Sequence, residues 1–245
     1  MKKTISKIAG SSYMRHKYWA RLWGRLLTFL LTVWAYLAKP EMFLLLREPN
    51  LFHHLSILHV LWVIWIADML LQLRPARAVM ALGSQKTFGR YYVPSSRSDV
   101  QEALSRYIRQ SNRGALKVFV VWGLVAAVIG FLTHFGIYGE AEIFLSVVFF
   151  YLCDLICVLI WCPFRVFLMK NRCCSTCRIF NWDHLMMFIP FAFLPGSYGW
   201  SLLGLSILVF AVWEITFLLH PERFWDGTNQ AIRCNHCTDR LCGKK

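Results

Sequence analysis

The sequence predicts an all-α, polytopic transmembrane helical bundle of about six spans, with a short or re-entrant fifth, plus a small cytoplasmic cysteine-rich unit that binds a metal. Three observations carry that prediction. Hydrophobic residues make up 57% of the 245 residues, and the mean hydropathy is +0.46. Apolar runs recur at about the 20-residue length that a helix needs to cross a ~30 Å hydrocarbon core. The basic residues are segregated into alternate loops.

The apolar runs place spans at 22–38, 51–73, 116–138, 143–169 and 200–219, with a weaker piece at 185–194. Ten helical residues rise only ~15 Å, and Pro190, Pro195 and Gly196 interrupt or close that piece. It is expected either to be a short, protein-buried crossing or to re-enter on the side it came from. The chain then divides into a basic N-terminal segment (1–21), a first transmembrane hairpin (22–73), a basic loop (74–115), a second hairpin (116–169), a Cys-rich loop (170–183), a third hairpin (184–219) and a Cys-rich tail (220–245).

Lys and Arg are retained on the cytoplasmic side of short loops. Of the 27 basic residues, 25 fall in the N-terminal segment through Arg25, the region 74–117, the region 165–183 and the tail. Only Lys39 and Arg47 lie in the opposite loops, which carry Glu41, Glu48, Glu140 and Glu142. A multi-pass protein of the cell membrane is expected, with both termini and both cysteine clusters cytoplasmic. The net charge of +14 follows from this topology and from attraction to anionic lipid headgroups, worth about 1 kcal/mol per surface basic residue. The bilayer and a membrane or cytoplasmic protein are the expected partners, and nucleic acid is not.

A long charged lead-in and the intrusion of Arg25 mark the first apolar run as an uncleaved span and not a secretory signal. Trp19, Trp23, Trp182, Trp200 and Trp225 fall near expected span ends, where an amphipathic ring anchors at the interface. In the central loop, Ser98 to Gln101 has capping-box spacing, and Val100, Ala103, Leu104, Tyr107 and Ile108 follow at helical period. The pattern predicts a short amphipathic helix closed at 112–114, with Arg106, Arg109 and Arg113 against headgroups.

The cysteines make the sharpest chemical statement. Six of nine form two clusters, Cys173, Cys174 and Cys177, and Cys234, Cys237 and Cys242, each just past an apolar segment. A two-residue spacer lets two thiolates of one turn reach one metal, and two such turns complete a tetrahedral set. Cys174, Cys177, Cys234 and Cys237 are that set; Cys173, Cys242 and His236 are spare or alternative ligands. In a reducing cytoplasm a metal is favoured over disulfides. Zinc in a structural clamp is the first expectation and an iron–sulfur cluster the alternative, although no Pro follows a cluster cysteine as in bacterial ferredoxins.

Within the membrane, Cys153, Cys157 and Cys162 read as small hydrophobes, and Cys162-Pro163 as a helix kink. Asp154 is costly at that depth unless it faces other helices and is paired. Arg25 or Arg165 is expected to neutralise Asp68 or Glu214. His53, His54, His59 and His134 lie at similar depth near the opposite surface. His59 and His134, on facing helices, are the candidates to hold a haem, the least favoured cofactor. No phosphate-cradling loop, nucleophile elbow, zincin motif or internal repeat is present, so catalytic residues and an enzymatic role are left open. Two function classes remain: a metal-clamped, non-enzymatic assembly protein, or a membrane redox protein that passes electrons to a quinone or haem.

Overall fold

The computed structural model describes residues 2–51, 55–74, 87–95, 100–173 and 176–236, with side chains from Arg15 onward. The described residues are helical apart from their connections and an isolated antiparallel bridge between Pro94 and Asn229. The α-helices are α1 (Lys2–Ala38), α2 (Leu58–Gln72), α3 (Val100–His134), α4 (Glu140–Leu159), α5 (Asp183–Phe188) and α6 (Ser197–Leu219). By length and composition α3, α4 and α6 can cross a membrane. A fourth span is gained if α1 from Arg15 and the 3-10 segment Pro40–Arg47, bent from it by 101°, count as one broken element.

Three or four apolar helices thus stand where six spans were expected, and the differences have local causes. The 51–73 run is helical only from Leu58, giving 15 residues. Polar side chains occupy its start: Ser56 Oγ accepts from Leu58 N at 3.2 Å, and His59 Nδ1 from Ser56 N at 3.1 Å. The 143–169 run ends as an α-helix at Leu159, four residues before Pro163, which lacks an N–H and disfavours helix in the residue before it. The chain continues there as a single π-helical turn, Phe164–Leu168.

The amphipathic helix of the central loop and the third span are one 35-residue helix, α3. Gly114 does not close it. The residue is buried in mid-helix, where a Cβ would meet Met169 Sδ at 2.9 Å, so the glycine serves close packing and not termination. Ser98 and Asp99 of the capping pattern lie outside the described residues.

The 185–194 piece is a helix of six residues, α5, followed by a 3-10 turn, Ile189–Phe193, into which Pro190 fits at the start. At one end Gln72 Nε2 donates to Asp183 Oδ2 at 2.9 Å; at the other the Tyr198 hydroxyl donates to the Leu58 carbonyl at 2.8 Å. Gln72 and Leu58 are the two ends of α2, about 22 Å apart for 15 helical residues. The segment therefore passes alongside the whole of α2 through the protein interior, with Met187, Phe188 and Phe191 buried.

Trp65, Phe144, Phe188, Phe191 and Tyr198 form the centre of the core. The outward surface is also apolar: Leu27, Leu31, Leu37, Phe119, Leu124, Phe131, Leu208, Ile215 and Leu218 are exposed. Exposed apolar surface on so many helices is what a lipid-facing bundle presents. At the end of the bundle formed by the 39–48 and 135–140 turns, Arg47 pairs with Glu140, and the Tyr36 hydroxyl donates to Glu142 Oε1 at 2.8 Å.

Candidate functional site

Of the six expected thiolate ligands, Cys177 is buried, Cys173 half-buried and Cys234 exposed. Cys174, Cys237 and Cys242 lie outside the described residues. Among the described residues no three His, Cys, Asp or Glu side chains are grouped to hold a metal ion.

The segments that carry the cysteines are nevertheless fastened to one end of the bundle. Arg178, next to Cys177, forms an ion pair with Glu214 of α6, lies 4.1 Å over the Phe217 ring and donates to Asn112 Oδ1 of α3. Trp182 Nε1 donates to the same Glu214 at 2.8 Å. The tail leaves α6 only six residues beyond Glu214. It returns to α3 as well, where Trp225 stacks on Tyr107 at 5.8 Å and the Tyr107 hydroxyl donates to the Phe224 carbonyl at 3.1 Å. Arg165, expected to neutralise Asp68 or Glu214, does neither: its Nη1 donates to the Arg172 carbonyl at 2.7 Å.

The tail through His236 is ordered by a polar residue that no motif singles out. Asn229 is fully buried. Its Nδ2 donates to the Arg223 carbonyl at 2.8 Å, and its Oδ1 accepts from Ala231 N at 3.0 Å. On either side, Gln230 N donates to the Val93 carbonyl at 2.8 Å and Ser95 N to the Thr228 carbonyl at 3.0 Å. These bonds explain how a segment poor in apolar residues is held without a large hydrophobic contact.

His59 and His134 are not brought around a common cofactor. His59 has both ring nitrogens occupied, Nδ1 by Ser56 N and Nε2 by the Leu51 carbonyl at 2.6 Å, which fixes the Nε2–H tautomer. His134 is exposed at the end of α3, edge-on to Phe135. Their helices are not principal packing neighbours, since α2 packs mainly on α6. His53 and His54 lie outside the described residues.

A cluster of charge occupies the bundle near the cysteine-bearing end. Arg25 Nη1 donates to Asp154 Oδ2 at 2.6 Å, so Arg25 neutralises Asp154 and not Asp68 or Glu214. Asp68, Gln72, Asp183 and His184 line the same region. His184 Nδ1 and Asp183 Oδ1 lie 3.2 Å apart without hydrogen-bond alignment, a charge contact between neighbours in sequence.

Two cavities complete the inventory. One of about 130 Å³ is lined by Cys153, Asp154, Cys157, Cys162, Arg165 and Cys177, with Trp122 and Phe150 opposite. The other, about 370 Å³, is a basic depression formed by Arg106, Arg109, Arg113, Lys117 and Lys170. The basic loop residues expected against headgroups thus share a concave surface with Lys117 and Lys170. Helical spacing puts Cys153 and Cys157 on one face but turns Cys162 away from it; the break of α4 after Leu159 is what brings Cys162 to the same cavity. No protein-family model, curated protein or solved structure matches the chain.

Proposed function

We propose that the protein is a multi-pass membrane protein whose cysteine-bearing loop and tail share one cytoplasmic thiolate metal site, with zinc the favoured ion. In this reading the bundle crosses the bilayer six times, the 183–194 segment being a short passage held among other helices. Cys174, Cys177, Cys234 and Cys237 supply four thiolates, which clamp the ends of α4 and α6 together, and the role is assembly of or with partner proteins and not catalysis. The basic depression on α3 faces anionic headgroups.

The observation that carries this reading is that both segments meet Phe217 near the end of α6, where Arg178 of the loop lies over its ring and Phe224 of the tail packs edge-on to it at 5.3 Å. Arg178 brings the first cluster to the end of α6 from which the second emerges. A thiolate site would add to that anchorage, because binding free energy of a structural zinc is folding free energy.

A redox reading has its own observation, the thiol-lined cavity beside α4. Elemental analysis and optical absorption of purified protein separate the two. About one zinc per chain in a colourless sample, lost in Cys177→Ser and Cys234→Ser, supports the clamp. Bound iron with broad visible absorption, or a Soret band, replaces it with a cluster or haem protein; a metal-free wild type ends both metal readings.

A further inference from the structure

One face of α3 carries Arg106, Arg109, Arg113 and Lys117. Steps of three and four residues stack them along a single helical stripe. Each neighbouring pair on that stripe therefore sets like charges where their repulsion weakens a helix. All four side chains are exposed, and none forms an ion pair among the described residues, Glu102 one turn before Arg106 included. An arrangement that is unfavourable in the isolated helix calls for negative charge from outside the chain.

A second segment closes the stripe into the depression of about 370 Å³. Met169 packs against Gly114, which has no side chain to keep its sulfur away. Lys170 follows in a left-handed backbone conformation, φ +49°, and lines the same depression. Met169 N donates to the Phe164 carbonyl at 2.8 Å and Asn171 N to the Arg165 carbonyl at 3.0 Å, so this wall is held by its own backbone. Five cations from two segments thus share one concave surface whose lining holds no acidic side chain. At its Lys117 end the stripe runs into exposed apolar surface, Leu116, Phe119 and Val120, on a helix able to cross a membrane. That continuity selects an occupant that carries acyl chains as well as negative charge.

We propose that the depression is a stoichiometric site for a phospholipid whose headgroup carries two phosphates, with its acyl chains lying over Leu116, Phe119 and Val120. The site rests on the reading that this face of α3 lies at the headgroups, and it adds selectivity to that reading. A headgroup with one phosphodiester brings one negative charge to five positive ones. A second phosphate on the same headgroup adds charge without gathering a second lipid. Arg109 and Arg113, one turn apart in the middle of the stripe, offer planar guanidinium forks that match phosphate oxygens in pairs. Lys117 and Lys170 add point charges at the rim. Basic pockets beside membrane helices hold polyanionic headgroups in this way. The site is separate from the proposed metal clamp and stands whether or not the clamp binds metal.

The test uses full-length protein in neutral detergent, titrated separately with tetraoleoyl diphosphatidylglycerol, with dioleoyl phosphatidylglycerol at matched charge, and with dioleoyl phosphatidylcholine. Native mass spectrometry counts the lipids retained. The expected result is one diphosphatidylglycerol per chain, half-saturated at a charge concentration about tenfold below that of phosphatidylglycerol. The double variant Arg109→Gln with Arg113→Gln should weaken this binding about thirtyfold. Arg15→Gln with Arg90→Gln removes the same charge from outside the depression and should weaken it less than about threefold, because charges that do not touch the headgroup are screened by salt. Equal half-saturation by the two anionic lipids, or equal losses in the two double variants, overturns the site and leaves a general attraction to headgroups standing. Equal retention of phosphatidylcholine overturns the headgroup reading too. Inorganic pyrophosphate, two phosphates without chains, should bind lipid-free protein about tenfold more weakly than the diphosphatidyl lipid; equal binding gives the depression to a soluble anion and overturns the lipid. The ligand comparisons use the wild-type chain, so they decide the proposal even where a variant folds poorly.

Discussion

Arg25 holds Asp154 across the contact between α1 and α4, donating at 2.6 Å to the carboxylate and at 2.6 Å to the Tyr151 carbonyl, with its guanidinium 3.8 Å over the Tyr151 ring. Three interactions on one turn of α4 fix a buried guanidinium, and they join the two helices with the most extensive mutual packing in the bundle. Removing one partner leaves a charge in a low-dielectric interior, whereas removing both removes the need for either.

Arg25→Leu and Asp154→Leu should therefore each cost about 3–5 kcal/mol, and the double variant less than either single one. Thermal unfolding in detergent measures this. Additive losses would show that the two residues act independently.

Asn229→Ala removes the donor and acceptor that order the tail, at about 1–3 kcal/mol for the backbone groups left unpaired. Amide exchange in 222–236 should speed up, with the exchange of α6 unchanged. An unaltered tail in this variant would assign its order to another contact.

Gly196 has φ of +152°, and a Cβ there would come within 1.8 Å of the Leu46 carbonyl oxygen. Gly196→Ala must move the backbone joining the end of the α1 hairpin to the start of α6, where Ser197 N donates to the Glu48 carbonyl at 3.1 Å. A loss of more than about 1 kcal/mol is expected, read as reduced yield and melting temperature, whereas Gly24→Ala, with open space around it, should be neutral.

Reporter fusions test orientation directly. Fusions at Lys245 and within 85–111 should read as cytoplasmic and one at Pro49 as external. A cytoplasmic signal at Pro49 would remove the basis for placing the cysteines inside the cell.

The all-helical, apolar architecture was legible because length and hydropathy of a run set its ability to form an apolar helix. The limits of the helices were less so. Hydropathy averages over residues such as Ser56 and His59, whose side chains bond backbone groups and delay α2, and over Pro163, which ends α4 inside an apolar run. Gly114 misled for the opposite reason: glycine terminates helices in water but also permits close contact, and only the position of Met169 distinguishes these. Charge partners were legible in kind, since buried Asp154 had to find a cation, but not in identity. Pairing Arg25 with Asp154 and Arg178 with Glu214 depends on how helices rotate against one another, which hydropathy does not encode. Asn229 carried no signal in one dimension, because the backbone atoms that it bonds at Val93, Arg223 and Ala231 come together only when the tail is folded.

The length of α3 has a mechanical consequence. Thirty-five helical residues extend about 52 Å, some 20 Å more than a ~30 Å hydrocarbon layer. Arg106, Arg109 and Tyr107 therefore ride on the same stiff rod as Leu124 and Phe131. A helix accommodates a thinner bilayer by tilting, and with no joint at Gly114 the tilt of the lipid-facing half swings the protruding half through the same angle. Trp225 stacks on that protruding half, so a tilt of α3 would displace the root of the cysteine-bearing tail.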